Sequence, residues 1–139
     1  MKKIKLIFFI AVAFSFSSAE TDFSKLPDVI NCHFKYMAVL DYSVTYKKYE
    51  AEAGIDSSAF NFKIAGLSRG KPVIVGDSDS NELLFIKHVR NTVYLVEDIP
   101  NGFNVIMLNL KTKKVTLSKQ YDIGNGSPFV YSWVGEAIF

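Results

Sequence analysis

Three consecutive apolar runs in the middle of the chain constrain the fold most. Thr92–Glu97 and Phe103–Leu110 flank Pro100-Asn101-Gly102, and Val115–Tyr121 follows after a polar segment that contains Lys111-Thr112-Lys113. Proline presets φ for the second position of a type I turn, Asn101 tolerates the third position, and Gly102 is expected to supply the positive φ that starts the next strand. The stretch therefore predicts a three-stranded antiparallel meander. Alternation suggests one face with Val93, Leu95, Val105, Met107, Val115 and Leu117, and an opposite face with Tyr94, Val96, Ile106 and Leu108.

The N-terminus has the pattern of a secretory signal peptide. Lys2, Lys3 and Lys5 precede an apolar run from Leu6 to Phe16, and Ser17-Ser18-Ala19 follows. The run is shorter than the roughly 20 apolar residues of a transmembrane helix, and small residues suit signal-peptidase cleavage. We expect residues 1–19 to be removed and residues 20–139 to form one exported domain, periplasmic or secreted, without later membrane contact. The style of the leader indicates a bacterial source.

The charge balance argues against a nucleic-acid partner. Without the three leader lysines the chain holds 13 basic and 14 acidic residues, a formal charge of −1. A near-neutral domain lacks the basic face that phosphate backbones require. Cys32 is the single cysteine, so no intramolecular disulfide forms; we expect a buried thiol, with an intermolecular disulfide or a reactive thiol as the alternative.

A long alternating run predicts the first strand. From Ile30 to Tyr46 apolar and aromatic residues occupy most even positions, a period of two that favours a strand. A straight strand of this length would span roughly 55 Å, whereas a domain of this size is about 35 Å across. The strand must therefore bend, bulge or split, and we place that break at Met37-Ala38-Val39. A helix starting at Pro27 is the competing interpretation.

The remaining runs complete an all-β chain. Lys47–Ser58 is polar and alanine-rich and reads as a connection, with a short helical turn as an option. Turn-forming residues separate the later strands. About eight antiparallel strands in a single domain favour a small up-and-down barrel or a two-sheet sandwich. These later strands are predicted at Ala59–Leu67, Pro72–Val75, Glu82–His88 and from Pro128 through Trp133.

No motif points to catalysis, a metal or a cofactor. Asp77, Asp79 and Asn81 have the spacing of the first calcium ligands of an oxygen-ligand loop, but Glu82 stands where glycine is needed and His88 where the bidentate glutamate is needed. We interpret the segment as a turn. His33 and His88 lack partners at zinc spacing and are expected on the polar sides of strands. Catalysis would need carboxylates converging from loops, for example Glu97 or Asp98 against Glu136.

The aromatic residues supply the candidate binding site. Tyrosine and tryptophan anchor many protein interfaces and line many ligand pockets, although cross-strand packing also uses them. The sequence thus predicts an exported binding or interaction module for a small apolar ligand or a protein. A small secreted hydrolase is one alternative; a minimal outer-membrane β-barrel, prompted by the alternating C-terminus ending at Phe139, is the other. The predicted binding residues are Tyr36, Tyr42, Tyr94, Tyr131 and Trp133.

Overall fold

The chain folds as an antiparallel β-sheet with two short 3-10 helices. The computed structural model describes residues 21–43, 48–55, 61–76, 80–122 and 128–139, so the predicted leader, residues 1–19, lies outside the described residues. The helices are η1 (Phe23–Lys25) and η2 (Leu67–Arg69). The described strands are β1 (Val29–Ser43), β2 (Lys48–Ile55), β3 (Asn61–Ala65), β4 (Val73–Val75), β5 (Ser80–Glu82), β6 (Leu84–Val89), β7 (Thr92–Ile99), β8 (Gly102–Asn109), β9 (Lys114–Asp122) and β10 (Pro128–Ile138).

The sheet curls into a nearly closed barrel rather than a sandwich. Its order is β5-β4-β3-β1-β10-β9-β8-β7-β6, and β2 pairs with β1 outside this path. The two edge strands, β5 and β6, are consecutive in the chain and are separated only by Leu83, which is buried and donates its backbone N–H to the Pro72 carbonyl. Strands β5 and β6 thus act as one bent strand that pairs with β4 at its start and with β7 at its end.

The predicted meander is present, but the two faces of its middle strand, β8, are the reverse of those predicted. Val93 lies opposite Leu108 and Leu95 lies opposite Ile106, so Ile106 and Leu108 point into the barrel instead of Val105 and Met107. This register follows from the turn, where Ile99 pairs directly with Gly102. The inward side chains form one buried core: Leu26, Ile30, Cys32, Phe34, Phe62, Ile64, Leu67, Leu83, Val93, Leu95, Ile106, Leu108, Val115, Leu117 and Ala137.

The turn between β7 and β8 uses its residues differently from the prediction. Asn101 takes the positive φ, 62°, and Gly102 does not. Gly102 is needed for space instead, because a Cβ there would lie 2.1 Å from the Gln120 carbonyl oxygen of β9. Asparagine tolerates the left-handed region better than most residues, which leaves the glycine for the close approach.

Strand β1 contains the predicted irregularity, three residues earlier than expected. Its register with β10 shifts between Phe34 and Tyr36, so a β-bulge, and not a break at Met37-Ala38-Val39, takes up the length. A bulge inserts one residue and exchanges the faces beyond it. Cys32 and Phe34 are buried before the bulge, whereas Tyr36 after it is 56% exposed.

The segment predicted as a connection is largely strand β2. Lys48–Ile55 pairs with residues 36–43 of β1, along the same edge that β3 occupies at residues 29–33. Alanine and glycine have a low strand propensity, so the sequence of this segment did not indicate a strand. Pairing with the long strand β1 overrides that low propensity. The competing helix from Pro27 is wrong, since β1 begins at Val29. No helix in the described ranges is long and apolar enough to cross a membrane.

Candidate functional site

The strands on one side of the barrel are longer than those on the other. Strands β7 to β10 have 8 to 11 residues and β1 has 15, whereas β3 to β5 have 3 to 5. We call the side formed by β7, β8, β9, β10 and β1 the long wall. Its inner face continues past the buried core, and this continuation carries the candidate site.

Four aromatic rings form a continuous row on that inner face. We call Tyr121, Phe129, Tyr131 and Trp133 the aromatic row. The ring centroids of Tyr131 and Trp133 are 5.6 Å apart, those of Tyr121 and Phe129 are 5.7 Å apart, and the planes in the row are within 16° of parallel. Each ring is half-buried, and Trp133 packs against the core. The row thus runs from the core towards solvent.

The pairing pattern explains how the row assembles. Phe129, Tyr131 and Trp133 alternate along β10, and side chains two residues apart in a strand share a face. Phe129 lies directly opposite Tyr121 on β9. Parallel, offset rings are a favourable arrangement for aromatic pairs, so the row is both a packed element and an exposed apolar surface.

The structure brings together two of the five predicted binding residues. Tyr131 and Trp133 belong to the aromatic row. Tyr36 lies on the opposite face of the sheet because of the β1 bulge. Tyr94 lies on the outer face of β7, where the Lys87 ammonium is 5.2 Å from its ring centroid. Tyr42 pairs with Tyr49 through the backbone, and its side chain lies outside the described part of the chain.

A buried carboxylate lies on the same inner face. Glu97 on β7 is 5% exposed. It accepts a hydrogen bond of 2.8 Å from Asn81 Nδ2 on β5 and one of 2.5 Å from Asn104 Nδ2 on β8. We call Asn81, Glu97 and Asn104 the carboxylate–amide cluster. The cluster joins β5 to β7 across the seam where the barrel closes.

One atom of this cluster has no hydrogen-bond partner among the residues that the structure describes. Asn104 is 9% exposed, and its Oδ1 is buried and unpaired. The amide orientation is fixed by the carboxylate, because the opposite orientation would place Oδ1 against a Glu97 oxygen, two acceptors in contact. A buried acceptor without a donor costs about 1–3 kcal/mol. The fold therefore carries an unsatisfied acceptor on the inner face.

The cluster and the aromatic row are adjacent through Lys119 on β9. Asn104 lies opposite Lys119, and Lys119 lies opposite Tyr131. The Lys119 ammonium is 5.4 Å from the centroid of the Tyr121 ring. Beyond Tyr131 the same face continues to Val39 of β1 and Glu52 of β2. There a groove of about 220 Å³ is lined by Met37, Val39, Glu52, Ala53, Gly54 and Ile55.

A second, more apolar groove lies at the same part of β1 and β2 and extends over the outer face of the sheet. It has a volume of about 400 Å³. Tyr36, Ile55 and Val134 on its rim are 44–79% exposed. Apolar patches of this kind mark interaction surfaces in many proteins, but this groove offers few polar groups to orient a ligand. The lining residues are Tyr36, Met37, Ala38, Ala53, Gly54, Ile55, Ser132 and Val134.

The carboxylates considered for a hydrolase are not brought together. Glu97 faces the barrel interior, whereas Asp98 is exposed on the other face of β7. Glu136 lies on the outer face of β10, where its Oε1 is 2.9 Å from Lys114 Nζ and its Oε2 is 3.8 Å from Lys35 Nζ. The hydrogen bond from Lys114 lowers the pKa of Glu136. Glu97 and Glu136 therefore occupy opposite faces of the sheet. Asp98 shares the outer face with Glu136, but the strand register places Glu136 level with Thr92, three strands away and six residues from Asp98 along β7.

The other singled-out residues have structural environments. Cys32 is buried as predicted, and burial raises the pKa of its thiol to about 12. His33 Nδ1 is 2.9 Å from Asn61 Oδ1. His88 was expected on a polar side but shares the inward register with Val93, because a bulge between Phe85 and Lys87 exchanges the faces of β6.

Metal-ligand clusters are not found in the described ranges. Asp77 and Asp79, the first residues of the calcium-like spacing, lie outside those ranges. Asn81, the third residue of that spacing, donates its amide to Glu97. Tyr121, Phe129 and Asn104 were not among the predicted site residues. The alternation of Phe129 with Tyr131 and Trp133 was the available signal for Phe129.

Comparison of the chain with protein-family models, with curated protein sequences and with solved structures gives no match. The interpretation of the site therefore rests on its own geometry and chemistry.

Proposed function

We propose that this chain is an exported binding protein whose small apolar ligand lies against the aromatic row. The observation that carries the proposal is the row itself: four parallel, half-buried rings on one face, continuous with the core at Trp133. Aromatic side chains supply large apolar contact area at a low entropic cost. Export is inferred from the leader-like residues 1–19.

The barrel interior supports a position above the core rather than inside it. Core residues from both sides of the barrel, among them Ile30, Ile64, Leu95 and Ile106, have no exposed surface. In a small barrel such side chains fill the interior. The long wall, in contrast, offers partly exposed rings, a polar cluster and an adjoining groove. A few polar groups beside an apolar surface are typical of ligand sites.

The proposal is tested first by native mass spectrometry. The mature protein should be purified gently from its own host's extracytoplasmic fraction, and we expect a stoichiometric small-molecule adduct. Tyr131→Leu should abolish the adduct while leaving the circular dichroism spectrum unchanged, because the change removes a ring from the row but keeps an apolar side chain. Tyr94→Leu, a tyrosine on the outer face, is the matched control and should retain the adduct.

Two results would count against this function. One is a bare wild-type mass after gentle purification. The other is equal loss of the adduct in the Tyr131→Leu and Tyr94→Leu variants, which would mean that the ligand is not held by the aromatic row.

A further inference from the structure

The unpaired Asn104 acceptor and the buried Glu97 carboxylate indicate the chemistry of the ligand. Building on the proposed function, we infer that the ligand is a small primary amine carrying an aromatic or apolar group. Its apolar group lies along the aromatic row, and its ammonium donates a hydrogen bond to Asn104 Oδ1 beside Glu97.

The charge of Glu97 favours a cationic ligand over a neutral one. Both carboxylate oxygens accept hydrogen bonds from neutral amides. Every ion pair found among the described residues involves a carboxylate other than Glu97. Buried carboxylates are normally balanced by a nearby cation, because an isolated buried charge is costly. An ammonium supplies that charge, and one of its three N–H groups satisfies Asn104 Oδ1.

The aromatic row suits the same class of ligand. Ring faces attract ammonium groups within about 6 Å of their centroids. The Lys119 ammonium already occupies such a position over Tyr121, at 5.4 Å, which shows that a cation is accommodated on this face. Lys119 lies opposite Asn104 in the strand register, and its ammonium lies over Tyr121. An incoming amine would displace this side chain from the ring.

The strand geometry sets the size of the ligand. Asn104 and Tyr121 are diagonal neighbours across β8 and β9, a relation that places them about 7–8 Å apart. A ring joined to an ammonium by a two-carbon arm matches this separation. We therefore choose 2-phenylethylammonium as the probe, with 2-phenylethanol as its neutral analogue and phenylacetate as its anionic analogue.

The test is a titration of the three probes into the wild-type protein. Trp133 is the single tryptophan, so its fluorescence reports directly on the aromatic row, and calorimetry gives an independent affinity. We expect 2-phenylethylammonium to bind at least tenfold more tightly than 2-phenylethanol, and phenylacetate to bind most weakly. Glu97→Gln should reduce the affinity for the amine at least tenfold and reduce it more than the affinity for the alcohol, because only the amine loses a charge interaction.

Two further variants sharpen the test. Glu136→Gln, which removes an exposed carboxylate on the outer face, is the matched control and should leave both affinities unchanged. Lys119→Met removes the competing ammonium and should increase the affinity for the amine.

Several outcomes would overturn the amine inference. Equal affinities for amine and alcohol would show that only the apolar group is recognised, and the proposed binding function would stand. Tightest binding of phenylacetate, lost in Lys119→Met, would identify an anionic ligand. No binding of any probe to the wild type would also reject the inference, while the Tyr131→Leu adduct test would still decide the proposed function. If Glu97→Gln fails to fold, the wild-type probe series alone gives the decision.

Discussion

Gly135 is the residue at which a single methyl group should most disturb the long wall. It lies opposite Phe34 at the β1 bulge. A Cβ at this position would lie 1.9 Å from the His33 carbonyl oxygen and 2.7 Å from Phe34 Cα. Both contacts are with backbone atoms, so no side-chain rotation relieves them. Gly135→Ala must therefore separate β10 from β1 at the bulge.

The size of the effect follows from the displacement that the clash requires. A carbon and a carbonyl oxygen in ordinary contact are about 3.3 Å apart, so the strands must move by about 1.4 Å. Such a shift weakens the adjacent ladder hydrogen bonds, each worth about 1 kcal/mol net, and loosens core packing. We expect the free energy of unfolding to fall by about 3 kcal/mol, within the range of severe overpacking.

Gly54 provides a matched control in the same sheet. A Cβ at Gly54 meets no atom within 4 Å. Replacing glycine by alanine where there is space stabilises a protein by about 0.4–1 kcal/mol through the unfolded state, and this contribution is shared by both variants. The difference between Gly135→Ala and Gly54→Ala therefore isolates the clash.

The assay is urea and thermal unfolding of the protein, followed by circular dichroism and Trp133 fluorescence. For a domain of this size about 3 kcal/mol corresponds to a fall in Tm of about 10 °C or more. A Gly135→Ala protein within about 0.5 kcal/mol of Gly54→Ala would refute the close approach of β1 and β10. It would also remove the basis for the bulge that sets the face of Tyr36.

Two further predictions concern single groups. Since burial raises the pKa of the Cys32 thiol to about 12, the native protein should not react with a thiol reagent at about pH 8, whereas the urea-unfolded chain should; equal rates in both states would contradict the buried position. Lys114, and then Lys35, hold the pKa of Glu136 below its ordinary value of 4.5. The stability from this pair is present above that value and is lost as the pH falls through the lower, folded-state pKa. Glu136→Gln should therefore be slightly less stable than wild type near neutral pH. This difference in stability should shrink in high salt and disappear as the pH falls below 4.5 and through the lower, folded-state pKa; a difference independent of pH would refute the pairing.

The fold class could be predicted from local signals because antiparallel neighbours are consecutive in the chain. The meander β7 to β9 follows from alternation and turn residues, and both are visible within 30 residues. Closure into a barrel was not decidable in this way. It depends on β10 pairing with β1, for example Ala137 with Cys32, a contact between residues far apart in sequence that alternation does not encode.

The wrongly predicted faces of Tyr36 and His88 have one physical origin, which differs from that of the exchanged faces of β8. A β-bulge adds one residue, so every later position changes face. The bulge after Phe34 moves Tyr36 to the outer surface, and the bulge after Phe85 turns His88 inward. Strict alternation along β1 therefore predicted, wrongly, that Tyr36 shares a face with Cys32 and Phe34. The same counting succeeded for Tyr131 and Trp133 because β10 pairs with β9 without a shift.

The carboxylate–amide cluster was beyond the reach of sequence reasoning for a different reason. Asn81, Glu97 and Asn104 are ordinary residues in turn-rich or strand contexts, and only barrel closure places Asn81 against Glu97. Hydrogen bonds from two side-chain amides hold the carboxylate. The bond from Asn104 also fixes the orientation of its amide, with the amide oxygen unpaired. A purely structural seam would be served as well by apolar residues, because buried polar groups seldom add net stability over a packed alternative. The free-energy cost of this unpaired acceptor is explained if a ligand donates a hydrogen bond to it. Asn104 would then lower the stability of the free barrel and contribute to binding in the proposed function.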